Sequence, residues 1–472
     1  MPWLRQLAVR QLPSGEAAIA FRLRKNLVSP NCEHDCENSP DQSSQAPYYL
    51  IARERLTPQI PETVLTPPDH GALSDHARAG RMGRLKAAAW VSGDPFHTEV
   101  RRQVALYFQR EGTDSKGGAR VWRKATLLLA WLAASWATFL FTTTGLAETM
   151  LLATSAGLAM AGIGFNIQHD GSHRSLSRRR WMNTIAAASL DLLGGSSYIW
   201  HWKHNVLHHS SPNVSGVDED IDLGGLGRLS PLQEWRPLYR YQHVYLWFAY
   251  GFLPFKWHWY DDFAAFLRGR VGAQNIPRSR GAVVGLLLGK SVFVTWALLL
   301  PLLFQPAGRV LLFYATCCCV LGFTLSSVFQ MAHCVREAFD PPVNDAQRPP
   351  WAAHQVASTV NFAGANRLLG WYVGGLNFQI EHHLFPGVSH VHYPKLAPLV
   401  ASVCRKYGVR YTSRTTSWQA IQAHHRWLRH LGQPESAALS YVDRADLAPC
   451  GTDRRRPHLP VTGRMRGDRN TP

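Results

Sequence analysis

Residues 150–173 read MLLATSAGLAMAGIGFNIQHDGSH. The apolar run Met150–Ile167 approaches the roughly 20 residues with which a helix crosses the hydrocarbon core of a bilayer. It delivers the chain to His169 and His173. A helix turns about once per 3.6 residues, so side chains four apart share a face and these two imidazoles point the same way. A membrane span that ends in paired metal-ligand side chains is the unit from which the rest of the sequence is read.

Just upstream lies a second apolar run, Ala125–Leu146, separated from the first by Glu148-Thr149. No Lys or Arg lies in that connection, whereas Lys116, Arg120, Arg123 and Lys124 precede the pair and Arg174, Arg178, Arg179 and Arg180 follow it. The positive-inside rule then places both ends of this hairpin, with His169 and His173, on the cytoplasmic side. The pattern recurs at Ala282–Phe304 and Val310–Phe329, joined by a short Gln-Pro-Ala-Gly-Arg turn and ending near His333. The expected fold is an all-α integral membrane protein of four transmembrane helices, two hairpins, with a histidine-rich cytoplasmic cap. Trp181–Trp200, interrupted by Asp191, Gly194 and Gly195, reads as a partly buried or interfacial helix. The aromatic-rich stretch Trp235–Tyr260 suits the membrane interface. Ahead of the spans, Phe96, Val100, Val104, Tyr107 and Phe108 recur at helical spacing among arginines. That predicts an amphipathic lead-in helix on the membrane surface within residues 81–124.

Two further clusters repeat the logic of the first: His204-Asn-Val-Leu-His208-His209 and Gln379-Ile-Glu-His382-His383. One such cluster is as often a hydrogen-bonded pair as a ligand set. Three in one membrane chain point to a multi-metal site built from several helices. His333 leaves the fourth span at the same depth and joins the candidates. His354 reads as structural, as do His390 and His392, whose one-residue separation suits opposite faces. The acidic stretch Asp218-Glu219-Asp220-Ile-Asp222 offers carboxylates, and a solvated loop is the favoured reading.

The chain has 472 residues and a formal net charge of +18. Such a charge fits nucleic acid or basic flanks of membrane spans, and the apolar runs select the second. The cysteines form no disulfide framework: Cys317, Cys318 and Cys319 sit inside an apolar run. Cys32-Glu-His-Asp-Cys36 lacks a second ligand pair nearby and reads as coincidence. Residues 1–80 read as a weakly structured extension without a signal peptide or a His-Pro-Gly-Gly haem signature. Residues 125–411 read as the membrane domain, 412–436 as a cytoplasmic helix and 437–472 as a disordered basic tail.

The three boxes, in this order and placement against the spans, resemble those of the membrane fatty acid desaturases. Gln379, where many members carry histidine, makes the third box resemble the front-end branch, whose members insert a double bond between an existing one and the carboxyl end. The resemblance runs from about Phe96 to Tyr411 and is closest to bacterial members without a fused cytochrome domain. It implies two iron ions that use O2 and two electrons to remove hydrogen from an unactivated methylene. Carried over residue by residue, it makes His169, His173, His204, His208, His209, His382 and His383 ligands. Gln379 matches a box position and His333 the extra histidine after the fourth span. Asp170, Asn205 and Glu381 become groups that orient the imidazoles. The implied substrate is a long-chain acyl-CoA or acyl-lipid, such as a linoleoyl group, desaturated in the delta-5 or delta-6 manner. The implied partners are membrane lipid and a separate ferredoxin-like or cytochrome b-type electron donor with its reductase, and no nucleic acid. The implied location is a bacterial inner membrane.

Rival readings differ in chemistry. A hydroxylase on the same scaffold begins with the same hydrogen abstraction. A zinc hydrolase needs fewer ligands than this chain offers. A transport protein would carry its ligands near mid-membrane, not at the cytoplasmic ends of the spans.

Overall fold

A computed structural model describes residues 94–142, 145–339 and 349–434. The expectations for residues 1–80, for Cys32 and Cys36 and for the tail 437–472 lie outside the described residues. Within them the chain is mostly helical, with two two-residue strand pairs.

Helix α1 (Pro95–Glu111) starts at Asp94, whose carboxylate accepts the Phe96 amide at 2.9 Å, and stops at left-handed Gly112. Its apolar stripe is not turned to lipid. Phe96, Val100, Val104 and Phe108 are buried in a protein core shared with Trp351, Ile380, Leu384 and Val400. The reading of this helix as membrane-surface is therefore corrected: an amphipathic face does not say what covers it, and here the protein does. The lead-in also ends sooner than expected, since α2 (Gly118–Phe141) takes in Lys124.

Helix α2 pairs with α3 (Leu146–Ile163), which runs on through a π-helical turn, Gly164–Gln168, into the short α4 (His169–Ser172). Three short helices follow, α5 (Arg180–Ala187), α6 (Ser189–Leu192) and α7 (Ser197–Trp200). They lead into a second π-helical stretch, His201–His208. Aromatic segments α8 (Gln242–Ala249), α9 (Leu253–Lys256) and α10 (Asp262–Arg268) cross to α11 (Arg280–Val294), which continues helically to Leu303. Then comes α12 (Ala307–His333), packed along α3. Among the described residues four helices, Gly118–Phe141, Leu146–Ser172, Arg280–Leu303 and Ala307–His333, are long and apolar enough to cross a membrane. Leu127, Leu151, Val284, Leu288 and Leu311 are exposed on them, the side-chain type a lipid solvent favours.

Beyond α12 the chain forms α13 (Trp351–Ala357), α14 (Arg367–Tyr372), α15 (Gln379–Leu384), α16 (Tyr393–Tyr407) and α17 (Ser417–Leu431). A parallel strand pair, Asn361–Phe362 with Ser413–Arg414, ties this part together. α15 carries the third box into the core between α13 and α16.

Candidate metal centre

The three boxes arrive from three elements and meet. His169 caps the π turn at the end of α3: its amide donates to the Gly164 carbonyl five residues back. The second box lies in the other π stretch, where the His209 amide donates to the His204 carbonyl at 3.1 Å. In an ordinary α-helix residue i+5 sits about 140° round from residue i, at roughly 100° per residue. Bonding from i+5 to i brings it back above i, so His204, His208 and His209 share one face. The Nε2 of His204 lies 3.3 Å from that of His169 and 3.3 Å from that of His209. The Nε2 atoms of His382 and His209 are 3.1 Å apart, and those of His208 and His383 are 3.3 Å apart.

Four of these rings are held from behind through Nδ1, which leaves Nε2 turned inward. Asp220 Oδ2 accepts from His204 Nδ1 at 3.3 Å and Asp218 Oδ2 from His208 Nδ1 at 2.9 Å. Gln355 Oε1 accepts from His383 Nδ1 at 2.9 Å. The Tyr393 hydroxyl, which donates to the Val388 carbonyl, accepts from His382 Nδ1 at 3.3 Å. Such partners fix ring orientation and tautomer.

Electrostatics keep most of the rings neutral. Burial first, then the neighbouring imidazoles, holds His173, His209, His382 and His383 well below the ordinary histidine range. Burial also lowers His204, against the pull of Asp220. Burial opposes the charged form of His208 too, but Asp218 and Asp220 outweigh it and raise that ring. Asp220 is itself held below the carboxylate range, because Lys203 and two imidazoles overcome its burial.

Neutral imidazoles are metal ligands, and the donor atoms fall into groups whose members all lie within 4.8 Å of one another. One group is His169, His173, His204 and His382; another is His208, His333 and His383; a third, His209 with His382 and His383, joins them. Two nitrogens each about 2.1 Å from one metal, at right angles, lie about 3 Å apart, close to the spacings seen. Several buried polar atoms also have no hydrogen-bond partner: His173 Nε2, both ring nitrogens of His333, His209 Nδ1 and both amide atoms of Gln379. Buried polar atoms are costly unless paired. Metal ions at the centre of the cluster would pair His173 Nε2 and one ring nitrogen of His333, so the histidines fit a metal site rich in nitrogen donors.

Beside His169 opens a narrow apolar pocket lined by Leu190, Leu193, Trp200, Trp257, Leu325 and Phe329 among others. Trp200 stacks on the His204 ring at 4.6 Å. A nitrogen-rich donor set that could bind metal thus adjoins an apolar pocket.

A family model described as fatty acid desaturase matches residues 146–415. The chain belongs to the fatty acid desaturase family. It is 35% identical over 355 residues to the sn-1 linoleoyl-lipid 6-desaturase of Arthrospira platensis, covering 74% of this chain and 95% of that protein. Against the sn-1 linoleoyl-lipid 6-desaturase of Synechocystis sp. it is 32% identical over 343 residues, covering 72% and 96%. Against the acyl-lipid (8-3)-desaturase of Physcomitrium patens it is 34% identical over 351 residues, covering 73% of each.

In this desaturase the fold gathers His169, His173, His204, His208, His209, His333, His382 and His383, and buries Gln379 one turn before the last two. The three groups expected to orient the ligand imidazoles bond elsewhere. Asp170 accepts from His390 Nδ1 at 2.8 Å, and His390 Nε2 lies 2.8 Å from Lys124 Nζ. Glu381 accepts from Asn361 and Tyr411 at 2.7 and 2.9 Å, and burial pushes its carboxyl up to about 7. Asn205 donates to the Ser172 carbonyl at 2.8 Å. These three residues brace the backbone and flanking elements and do not bond to a box ring. The carboxylates that do are Asp218 and Asp220, from the stretch read as a solvated loop; Asp218 is 2% exposed. Their signal was present, two acids ten and sixteen residues past the histidines they hold. Nothing in the sequence pattern marks Gln355 or Tyr393. His354 reaches the Pro212 carbonyl, and His392 the Tyr107 hydroxyl, away from the cluster.

Proposed function

We propose that this desaturase is a front-end enzyme acting on a fatty acyl chain carried by a membrane lipid. The new double bond is placed between an existing one and the carboxyl end, with a linoleoyl group desaturated at carbon 6 as the first substrate to try. The observation that carries this reading is the meeting of the inward Nε2 atoms with an apolar cavity walled partly by His169. The names of the two cyanobacterial relatives supply the substrate class.

The residues proposed to hold two irons are the eight histidines and Gln379. When bound, the irons supply the O2-dependent oxidising power that an unactivated C–H bond requires and no side chain has. The protein's own part is positioning. Asp218, Asp220, Gln355 and Tyr393 hold four rings in register, and burial keeps the donors neutral. Leu190, Leu193, Trp257 and Phe329 exclude water and grip the chain by apolar contact, worth about 0.8 kcal/mol per methylene. We place the metal face in the cytoplasm, since Arg174, Arg178, Arg179 and Arg180 follow the first hairpin on that side. A separate small electron carrier and its reductase complete the cycle.

The test is a fatty acid profile. The chain and a His382→Ala, His383→Ala version are expressed in a host that has a competent electron donor and is supplied with linoleic acid. The lipids are extracted and double bonds located by mass spectrometry. A new double bond on the carboxyl side, absent with the double variant, is expected. A hydroxylated acyl chain would move the assignment to a hydroxylase. No new product from an iron-loaded protein would refute the substrate class.

A further inference from the structure

Lys290 sits near the middle of the apolar span Arg280–Leu303 and is buried. A charge in such a place is retained only where it is paired and hydrogen-bonded. Its Nζ donates to three acceptors: the Gly194 carbonyl at 2.6 Å, the Trp257 carbonyl at 2.7 Å and Asp262 Oδ2 at 2.7 Å. None of these belongs to the metal centre.

Two neighbouring side chains repeat the pattern. Trp296 Nε1 donates to the Leu192 carbonyl at 2.9 Å, and His258 Nε2 to the Leu193 carbonyl at 3.0 Å. Burial and Lys290 hold His258 down at about 3, so the ring is neutral, and its Nδ1 accepts from the Tyr314 hydroxyl at 3.0 Å. Three consecutive carbonyls, Leu192 to Gly194, are therefore each taken by a different side chain. Gly194 itself has φ +91°, and a Cβ there would lie 2.6 Å from the His258 ring. The turn cannot shift without breaking several bonds at once.

This turn is a wall of the apolar cavity. Leu190 and Leu193 line it from the clamped segment, and Trp257, whose carbonyl Lys290 also holds, lines it from the next. Asp262, the counter-charge, is also bonded by the Ser196 amide, where α7 begins. From α7 the chain passes straight into the second histidine box. The clamp thus ties the wall of the pocket to the element that carries His204, His208 and His209.

We propose that Lys290, His258 and Trp296 are positioning residues that fix this wall and thereby select which methylene of the acyl chain lies at the histidines. The inference rests on the desaturase reading above and adds to it the determinant of double-bond position. A purely structural clamp would lower the amount of active protein and leave the product the same. A clamp that sets the wall alters the product itself. Room for one methylene more or less in an apolar pocket changes discrimination roughly tenfold or more.

The experiment compares Lys290→Met and Trp296→Phe with the unaltered chain and with Val284→Ala, an exposed site on the same helix. Each is expressed with linoleic acid and with an acyl chain two carbons longer, and the read-out is the ratio of double-bond positions, with bound iron measured alongside. The two clamp variants are expected to shift that ratio, or the preference between the two chains, by roughly tenfold, while Val284→Ala leaves both as they are. Trp296→Phe removes one N–H and keeps the ring, so it decides the matter if Lys290→Met fails to accumulate. An unchanged ratio in an iron-loaded clamp variant, whatever its yield, overturns the proposal. No product even from the unaltered chain overturns the substrate reading beneath it, which separates the two failures.

Discussion

His208 shows how single residues divide the work at the centre. Its Nε2 faces His383 while Nδ1 is held by the buried carboxylate of Asp218. Carboxylates behind a ligating imidazole typically contribute 10- to 100-fold in metal affinity, so Asp218→Ala is expected to lose iron to a competing chelator at roughly 10- to 100-fold lower concentration. Asp222→Ala, exposed on the same loop, is the matched control and should behave as the parent. Equal retention in both would remove Asp218 from the site. Protonation provides a second residue-scale test. His173, His204, His209, His382 and His383 are lowered, so in the unfolded chain they take up protons near pH 6.5 while in the fold they do not. Their contribution to stability is full above about pH 6.5 and is lost progressively as the pH falls below it. Glu381 and His208 are raised and have the opposite sign, but they are outnumbered. The melting temperature of the metal-free protein in detergent should therefore fall between about pH 7 and about pH 5.5. A rise over that range would show that the buried rings are protonated in the fold.

At the scale of elements, α3 and α12 form the central pair, and small residues set their separation. A Cβ at Gly157 would lie 2.7 Å from the Cys317 carbonyl oxygen. Backbone cannot yield as a flexible side chain can. Gly157→Ala is expected to cost about 1–3 kcal/mol by overpacking, read as a lower unfolding temperature in detergent. Because α3 leads to His169 and α12 ends at His333, bound iron should fall with it. Gly285→Ala on α11 meets nothing within 4 Å and should be neutral or slightly stabilising. If both substitutions behave alike, close α3–α12 contact is not what holds the site. The two π-helical stretches are the other element-scale feature. The sequence puts His204, His208 and His209 on one face by α-helical spacing, which a regular α-helix would not give His209; the i+5 bonding is what does so.

For the whole molecule, the two hairpins predict sidedness. Leu146 and Leu303 lie at the hairpin tips, 67% and 77% exposed, and the Arg178 and Trp418 side chains are exposed at the opposite ends of the spans. In intact cells, a membrane-impermeant maleimide should label Leu146→Cys and Leu303→Cys, and should reach Arg178→Cys and Trp418→Cys only after permeabilisation. Labelling of Arg178→Cys from outside would invert the topology. The packing of α12 along α3 was not legible in the sequence. The four spans and the histidines that converge were, because a bilayer imposes length and apolarity on a span and helical periodicity puts residues four apart on one face. Those are local constraints, written in neighbouring residues. The covering of α1 by α13 and α16, the burial of Asp218 beneath His208, the support of His383 by Gln355 and the clamp of Lys290 on Gly194 join residues from ten to about three hundred positions apart. No local period encodes such contacts. They exist only once the helices have packed and each buried polar group has had to find its partner.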